Sequence, residues 1–556
     1  MNLMFMQLFQ KYNPKFFVTA IFFCCSFSIV LAQNDTSRRQ TIEITSSYKP
    51  VLRNTVKINL YASPITADTS RPRLAYNIPP QNLFFTYQPV SLKPLALDAD
   101  TTLQLGDRNQ LKAGFGSFAT PYVSGAFSFG DGKKNLLNVY GNYISSRGSI
   151  DNQDFSEINV RGDGSIFTPK SEIYANAAFA QHEYYQYGYN HAVDSFNKTD
   201  IRRSYQDLSA GIGFRNIAVN DLNFIYDPHL ELHAFSREGK ATETTLLLYL
   251  PVEKKFSDAV SLKVTATGNF DKYQIKNSTL QVTNNLVELT PEFVYYGDRF
   301  TFHGGVTPAW NNNDVNILPN IYAEAQLQKN VLIVQAGWIG NYIANSFRTL
   351  SGENPYMQDP TFLNNTKQTQ YYGGIKATLG NHFSFNARAA FITFNNMPLF
   401  INDSLDGKSF YIKNERRIDD LQIHGDMNFI NQDKFTLTAG LDLNTYTGLL
   451  DNAKAWELYP LKVTGSLRWN AFKQVLIKGD IAAFSGAKAL LNYGLNNGLE
   501  KNMKGGTDIS AGAEFKINKQ FSAWLDLDNL LNSKYERWNN YPVYGLQVIG
   551  GILIHF

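Results

Sequence analysis

The chain changes character every second residue. In the segment that begins at Phe383, the residues Phe383, Phe385, Ala387, Ala389 and Phe391 alternate with Ser384, Asn386, Arg388 and Ala390. From Phe435, the residues Leu437, Ala439, Leu441 and Leu443 alternate with Thr436, Thr438, Gly440, Asp442 and Asn444. From Val260, the residues Leu262, Val264 and Ala266 alternate with Ser261, Lys263, Thr265 and Thr267. A period of two belongs to extended strands, whose successive side chains leave opposite faces. The pattern recurs from about Gln110 onward, with no capped stretch of 3.6-residue periodicity.

Composition says which solvent each face meets. Aromatic residues make up 14% of the chain, high for a soluble enzyme, yet the mean hydropathy of -0.27 is far too low for a bundle of membrane helices. A transmembrane barrel reconciles the two, because only alternate residues meet lipid. The expected fold is therefore all-β, a transmembrane antiparallel β-barrel. Ten tight connections are expected, at Gly130 to Lys134, Thr168 to Ser171, Ala218 to Asp221, Glu253 to Ser257, Tyr296 to Asp298, Gln328 to Asn330, Gly380 to His382, Asn431 to Lys434, Asn470 to Lys473 and Asn518 to Gln520. Longer ones between them include Ser346 to Thr366 and Ala487 to Gly506. Short turns on the periplasmic side and longer outer loops give about 22 strands over residues 108–556.

The amino terminus is built differently. Lys11 and Lys15 precede the apolar run Phe16 to Leu31, and Val30-Leu31-Ala32 supplies a small-residue cleavage site, so residues 1–32 read as a secretory signal peptide. Both cysteines, Cys24 and Cys25, fall inside it, and the mature chain is expected to be free of thiols and disulfides. Residues 33–107 carry Pro50, Pro64, Pro72, Pro79, Pro80, Pro89 and Pro94, too dense for sheet or helix interiors. They read as an ordered, extended arm in the periplasm or the barrel lumen, with Phe84, Phe85 and Tyr87 as candidate anchors that plug the lumen.

The last strand has one apolar face, Tyr544, Leu546, Val548, Gly550, Ile552, Ile554 and Phe556, and one more polar face that includes Gln547 and His555. A terminal aromatic closing such a strand resembles the insertion signal of bacterial outer-membrane barrels. The stretch Asn529-Leu530-Leu531-Asn532, then Tyr535, Trp538, Tyr541-Pro542 and Gly545, resembles the closing hairpin of TonB-dependent receptors, although Leu546 stands where that family usually has Arg. Asn354-Pro355-Tyr356 in the long outer loop is a second echo. Thr41-Ile42-Glu43-Ile44-Thr45 resembles a Ton box, the strand by which such receptors engage their energising partner. The family also carries a larger globular plug, whereas only about 75 Pro-rich residues precede this barrel. The resemblance implies a receptor or transport role; a structural barrel subunit of an outer-membrane protein assembly, secretion or surface-protein complex is the alternative.

Asp227, His229, Glu231 and His233 share one strand face, but same-face neighbours stand roughly 7 Å apart, so a polar lumen wall is favoured over a metal site. Tyr184, Tyr185, Tyr187 and Tyr189 are read as an aromatic girdle at the outer interface. No nucleophile elbow, phosphate loop or zinc motif occurs, so no catalytic, cofactor or metal residues are assigned and no enzymatic activity is expected. A net charge of +3 gives no case for nucleic acid. The expected partners are outer-membrane lipid, the barrel assembly machinery during biogenesis, a TonB-like protein, and a periplasmic or surface lipoprotein that caps the lumen. The expected location is the outer membrane of a Gram-negative cell.

Overall fold

The computed structural model describes residues 109–556, except 219, 329–330, 381, 432–433 and 492–497. The signal peptide, the arm, the Ton-box-like strand and Phe84, Phe85 and Tyr87 all lie outside the described residues.

Twenty-two antiparallel strands close into one barrel. The first, Asn109–Gly116, pairs with the last, Gln547–His555, from Gln110 opposite His555 to Gly116 opposite Ile549. An even strand number lets the closing pair be antiparallel, and closure leaves no long edge to pair with another chain. One strand is written in two pieces, Phe224–Tyr226 and His229–Arg237, both paired with Ala241–Lys255. Pro228 sits in the interruption, where it denies the ladder a donor. Asn216 bridges the gap, donating to Phe224 O and accepting from Tyr226 N.

All ten expected tight connections fall between consecutive strands at one end of the barrel. Their chemistry is local. Asp131 Oδ1 accepts from the amides of Lys133, Lys134 and Asn135, and Asn518 Oδ1 from those of Gln520 and Phe521. The other end carries the long loops, three of which contain hairpins: Met397–Asn402 with Phe410–Glu415, Lys488–Leu491 with Leu499–Asn502, and Glu536–Trp538 with Tyr541–Pro542. It also carries the one α-helix found among the described residues, Phe347–Glu353. Sequence periodicity gave no sign of this helix, which is too short to show one. A capping box starts it: Ser346 Oγ accepts from Thr349 N while Thr349 Oγ1 accepts from Ser346 N.

The alternation sorts side chains as a bilayer requires. Phe129, Phe300, Phe472, Phe515, Phe521 and Phe556 face outward near the short-turn end, an aromatic girdle at that interface. On the last strand Val548 and Ile552 are exposed while Gln547, Ile549 and Leu553 are buried inside. Tyr544 departs from the outward face expected of it. It precedes the strand and is buried, ring against Phe155 and Phe118, because the chain turns inward at the rim before pairing begins.

Candidate functional site: a polar lumen under a roof of loops

Several charged groups on the inner wall are held in pairs, which offsets the cost of removing them from bulk water. Lys112 Nζ lies 3.1 Å from Asp526 and over the Trp524 ring. His303 Nδ1 lies 2.7 Å from Glu292, with its ring stacked on Tyr322. His424 bridges two carboxylates, Asp442 at 2.6 Å from Nδ1 and Asp426 at 2.7 Å from Nε2. The strand face Asp227, His229, Glu231 and His233 behaves in the same way. His233 contacts Asp207 at 3.2 Å and Glu231 at 3.3 Å, Tyr174 donates to Asp227, and His229 packs on Tyr249. Among the described residues no group of His, Cys, Asp and Glu is arranged to hold a metal ion.

The outer mouth is covered. Loops following the fifth strand (Ser171–Tyr185), the thirteenth (Leu332–Ile343) and the twenty-first (Phe521–Asp528) each send one tyrosine to a common point. Tyr356 stacks on Tyr541 with ring centroids 3.8 Å apart and planes at 24°. Tyr187 meets Tyr541 edge-on at 4.8 Å and Tyr356 at 6.0 Å. Three loops spaced nearly evenly around a closed ring can meet only over its interior, so these rings span the mouth. Around them Phe347, Leu350, Phe410, Tyr459, Met503 and Trp538 form one buried apolar cluster.

Polar contacts fix the roof to the wall. The helix Phe347–Glu353 is tethered at its amino end by Glu243 of the eighth strand, which accepts from Phe347 N at 2.5 Å and Arg348 N at 3.0 Å. Tyr205 donates to Pro355 O at 2.8 Å and Gln186 to Tyr356 O at 3.1 Å. Arg237 pairs with Asp359. Tyr187 donates to Pro542 O at 2.9 Å, and Asn539 reaches Asn402 at 2.8 Å. Within this roof Glu457 is almost fully buried, and burial raises its carboxyl from the ordinary 4.5 to about 8, although Arg537 nearby opposes the shift.

The tyrosines at 184 to 189 correct the girdle reading. Tyr187 and Tyr189 are buried in the roof, Tyr184 donates inward to Glu157, and Tyr185 bonds Glu183. A run of tyrosines suits an interface equally well whether it faces lipid or other loops, and the sequence does not distinguish the two. The meeting of Tyr187, Tyr356 and Tyr541 was not anticipated. Its signal lay in the two segments that carry the family echo, Asn354-Pro355-Tyr356 and Tyr541-Pro542, since both place a tyrosine beside a chain-stiffening proline.

No family model and no curated protein sequence matches the chain. Solved structures do. The FrpB iron transporter from Neisseria meningitidis is 11% identical over 81% of this chain and 81% of that chain, with a TM-score of 0.62. The ferripyoverdine receptor of the outer membrane of Pseudomonas aeruginosa is 10% identical over 81% and 72%, with a TM-score of 0.60. The siderophore receptor PirA from Acinetobacter baumannii is 10% identical over 82% and 81%, with a TM-score of 0.64. At these identities the likeness shows the fold alone, a closed 22-stranded antiparallel barrel.

Proposed function

We propose that this protein is an outer-membrane receptor that imports a solute of the size class of a ferric chelate, energised through the periplasm. The barrel shares its fold with iron and siderophore receptors, and a wide polar lumen under a loop roof suits a gated conduit better than a standing pore. The roof is the observation that carries the reading: a passage sealed outside by packed loops needs a device to open it. Residues 33–107 supply the inner closure, anchored by Phe84, Phe85 and Tyr87. Thr41 to Thr45 is the strand offered to a TonB-like protein by edge pairing. Insertion by the barrel assembly machinery through the terminal strand, and capping by a lipoprotein, complete the expected partners.

Site-directed crosslinking tests the energised reading. With Glu43→Cys in full-length protein, a TonB-like carboxyl-terminal domain is expected to crosslink, and Ile44→Pro is expected to remove the crosslink while the barrel stays heat-modifiable. Absence of any crosslink in the parent would remove energised import.

A further inference from the structure

The barrel wall is interrupted between the twelfth and thirteenth strands. The twelfth strand, Asp314–Gln328, pairs with the eleventh all the way to its tip at Asp314. The thirteenth pairs with the fourteenth, Thr366–Leu379, up to Ile343. Between the twelfth and thirteenth, however, the ladder stops at Asn320 opposite Ile339. Above that point Asp314–Pro319 and Gly340–Ile343 run without a shared ladder. The cause is readable in the sequence. Pro319 stands one residue beyond the last pair and has no N–H to give. Gly340 lets the thirteenth strand slide behind its neighbour, since a Cβ there would come within 3.0 Å of Leu318 and 3.1 Å of Pro319. The amide of Tyr342 then turns to a luminal carboxylate, donating to Glu288 Oε1 at 3.0 Å, and its ring packs on Leu286, Ala309 and Leu318.

Open strand edges do not persist against hydrocarbon unless something covers them. The flanking residues are strongly apolar nonetheless: Val315 is 63% and Ile317 73% exposed on the outer side. Directly below the seam the outer wall carries an apolar trough of about 560 Å³. Its upper margin is the paired row Ile321, Trp338, Tyr371 and Phe391, with Trp338 and Tyr371 stacked at 5.5 Å. Its floor is the next row toward the short-turn end, Ala323, Ala336, Gly373 and Ala389, four adjacent small side chains in register. A cation stands at the seam itself: Lys367 of the fourteenth strand reaches across to Asn316 of the twelfth, Nζ to Oδ1 at 3.3 Å.

We propose that the seam and trough bind one phosphate-bearing lipid of the outer leaflet, with its acyl chain laid in the trough and its head group at Lys367. The order of the parts fits that leaflet, whose heads point away from the short-turn end and whose tails run toward it. The ligand chemistry follows from the same parts, an apolar channel for the chain and a half-buried ammonium for the phosphate.

The experiment uses full-length protein in phosphatidylethanolamine vesicles doped with phosphatidic acid that carries a photoreactive diazirine in its tail. Crosslinks mapped by peptide mass spectrometry are expected to concentrate on Ala336, Trp338 and Tyr371, about tenfold above those on the distant outward residues Leu208 and Ile212. Gly373→Leu fills the trough at a position where a Cβ meets only Gln335 O at 4.0 Å, and is expected to abolish the enrichment. Ala389→Leu serves the same purpose should Gly373→Leu fail to give heat-modifiable barrel. Lys367→Gln, or a diazirine diacylglycerol without phosphate, is expected to reduce labelling severalfold. Labelling that is uniform around the apolar belt means annular lipid only and overturns the site. Enrichment that survives both trough fillings overturns it equally, and enrichment indifferent to Lys367 and to phosphate overturns the head-group assignment.

Discussion

Tyr356 and Tyr541 lie 185 positions apart in the chain and stack face to face at 3.8 Å, one from the loop after the thirteenth strand and the other from the loop after the twenty-first. Both rings are almost fully buried. The contact joins loops from different sectors of the wall, so it measures whether the roof is shut.

Truncating either ring should loosen the roof without unfolding the barrel. Tyr541→Ala removes a large buried side chain and is expected to cost about 3 kcal/mol of local stability. The double-mutant cycle with Tyr356→Ala should show roughly 0.5–1.5 kcal/mol of coupling. Hydrogen exchange should rise in residues 186–201, 344–365 and 529–546 while the strands stay protected. Unchanged exchange in those loops would mean that the stack bears no part of closure.

The proposed inner closure by the arm, in series with the roof, predicts a specific conductance pattern in planar bilayers. Deletion of Gln33 to Asp107 alone, or Tyr541→Ala alone, should leave conductance low, and the combination should open a large, steady channel. A channel that opens on arm deletion alone would show that the roof is permeable. The truncated chain should still insert, since the described barrel closes through its own first and last strands.

The sidedness of the wall can be tested at two neighbouring residues. Ile423 faces outward and Gln422 inward, where its side chain donates to Asn444 at 3.1 Å. Ile423→Arg should cost about 2–4 kcal/mol and sharply reduce heat-modifiable barrel. Gln422→Arg should be tolerated better, because its charge enters a polar lumen. Equal loss in both variants would contradict the assignment of faces.

The roof should weaken as pH rises. Glu457 titrates near 8 when buried and near 4.5 when the loop opens, so the closed roof holds a proton that the open loop releases. Nothing is lost below the lower value, where both forms are protonated. From there up to about pH 8 the open form ionises first, and closure is progressively disfavoured. Protection of the outer-loop amides, with intrinsic base-catalysed exchange divided out, should therefore be lower at pH 8 than at pH 5, and Glu457→Gln should reduce the difference. Lower protection at the acidic end would reverse the sign and exclude Glu457 as its source.

The barrel was legible in the sequence because the information that fixes it is local. Alternation from Phe383 to Phe391 states which side chains face out, and Asp131 or Asn518 marks a turn through bonds to its own next few residues. The roof was far less legible. Its contacts join residues such as Gln186 and Tyr356, or Asn402 and Asn539, whose proximity depends on how the loops fold across the mouth. Tyr544 was misplaced for a related reason: alternation was carried past the true start of the last strand at Gln547. The tyrosines at 184 to 189 were misread because burial between loops and burial in an interface select the same side chain.

The pairing of the first strand with the last has a consequence for synthesis. Gln110 meets His555 across almost the whole described chain, so the ring cannot shut until residues 549–555 are in place. Until then the unfinished sheet exposes two long hydrogen-bonding edges, and closure must wait for a contact of very high sequence separation, which makes the last step slow. The strand Gln547–His555 thus completes the wall through its pairing on both sides. Any delay in its arrival lengthens the interval during which a half-built sheet must be shielded from its neighbours.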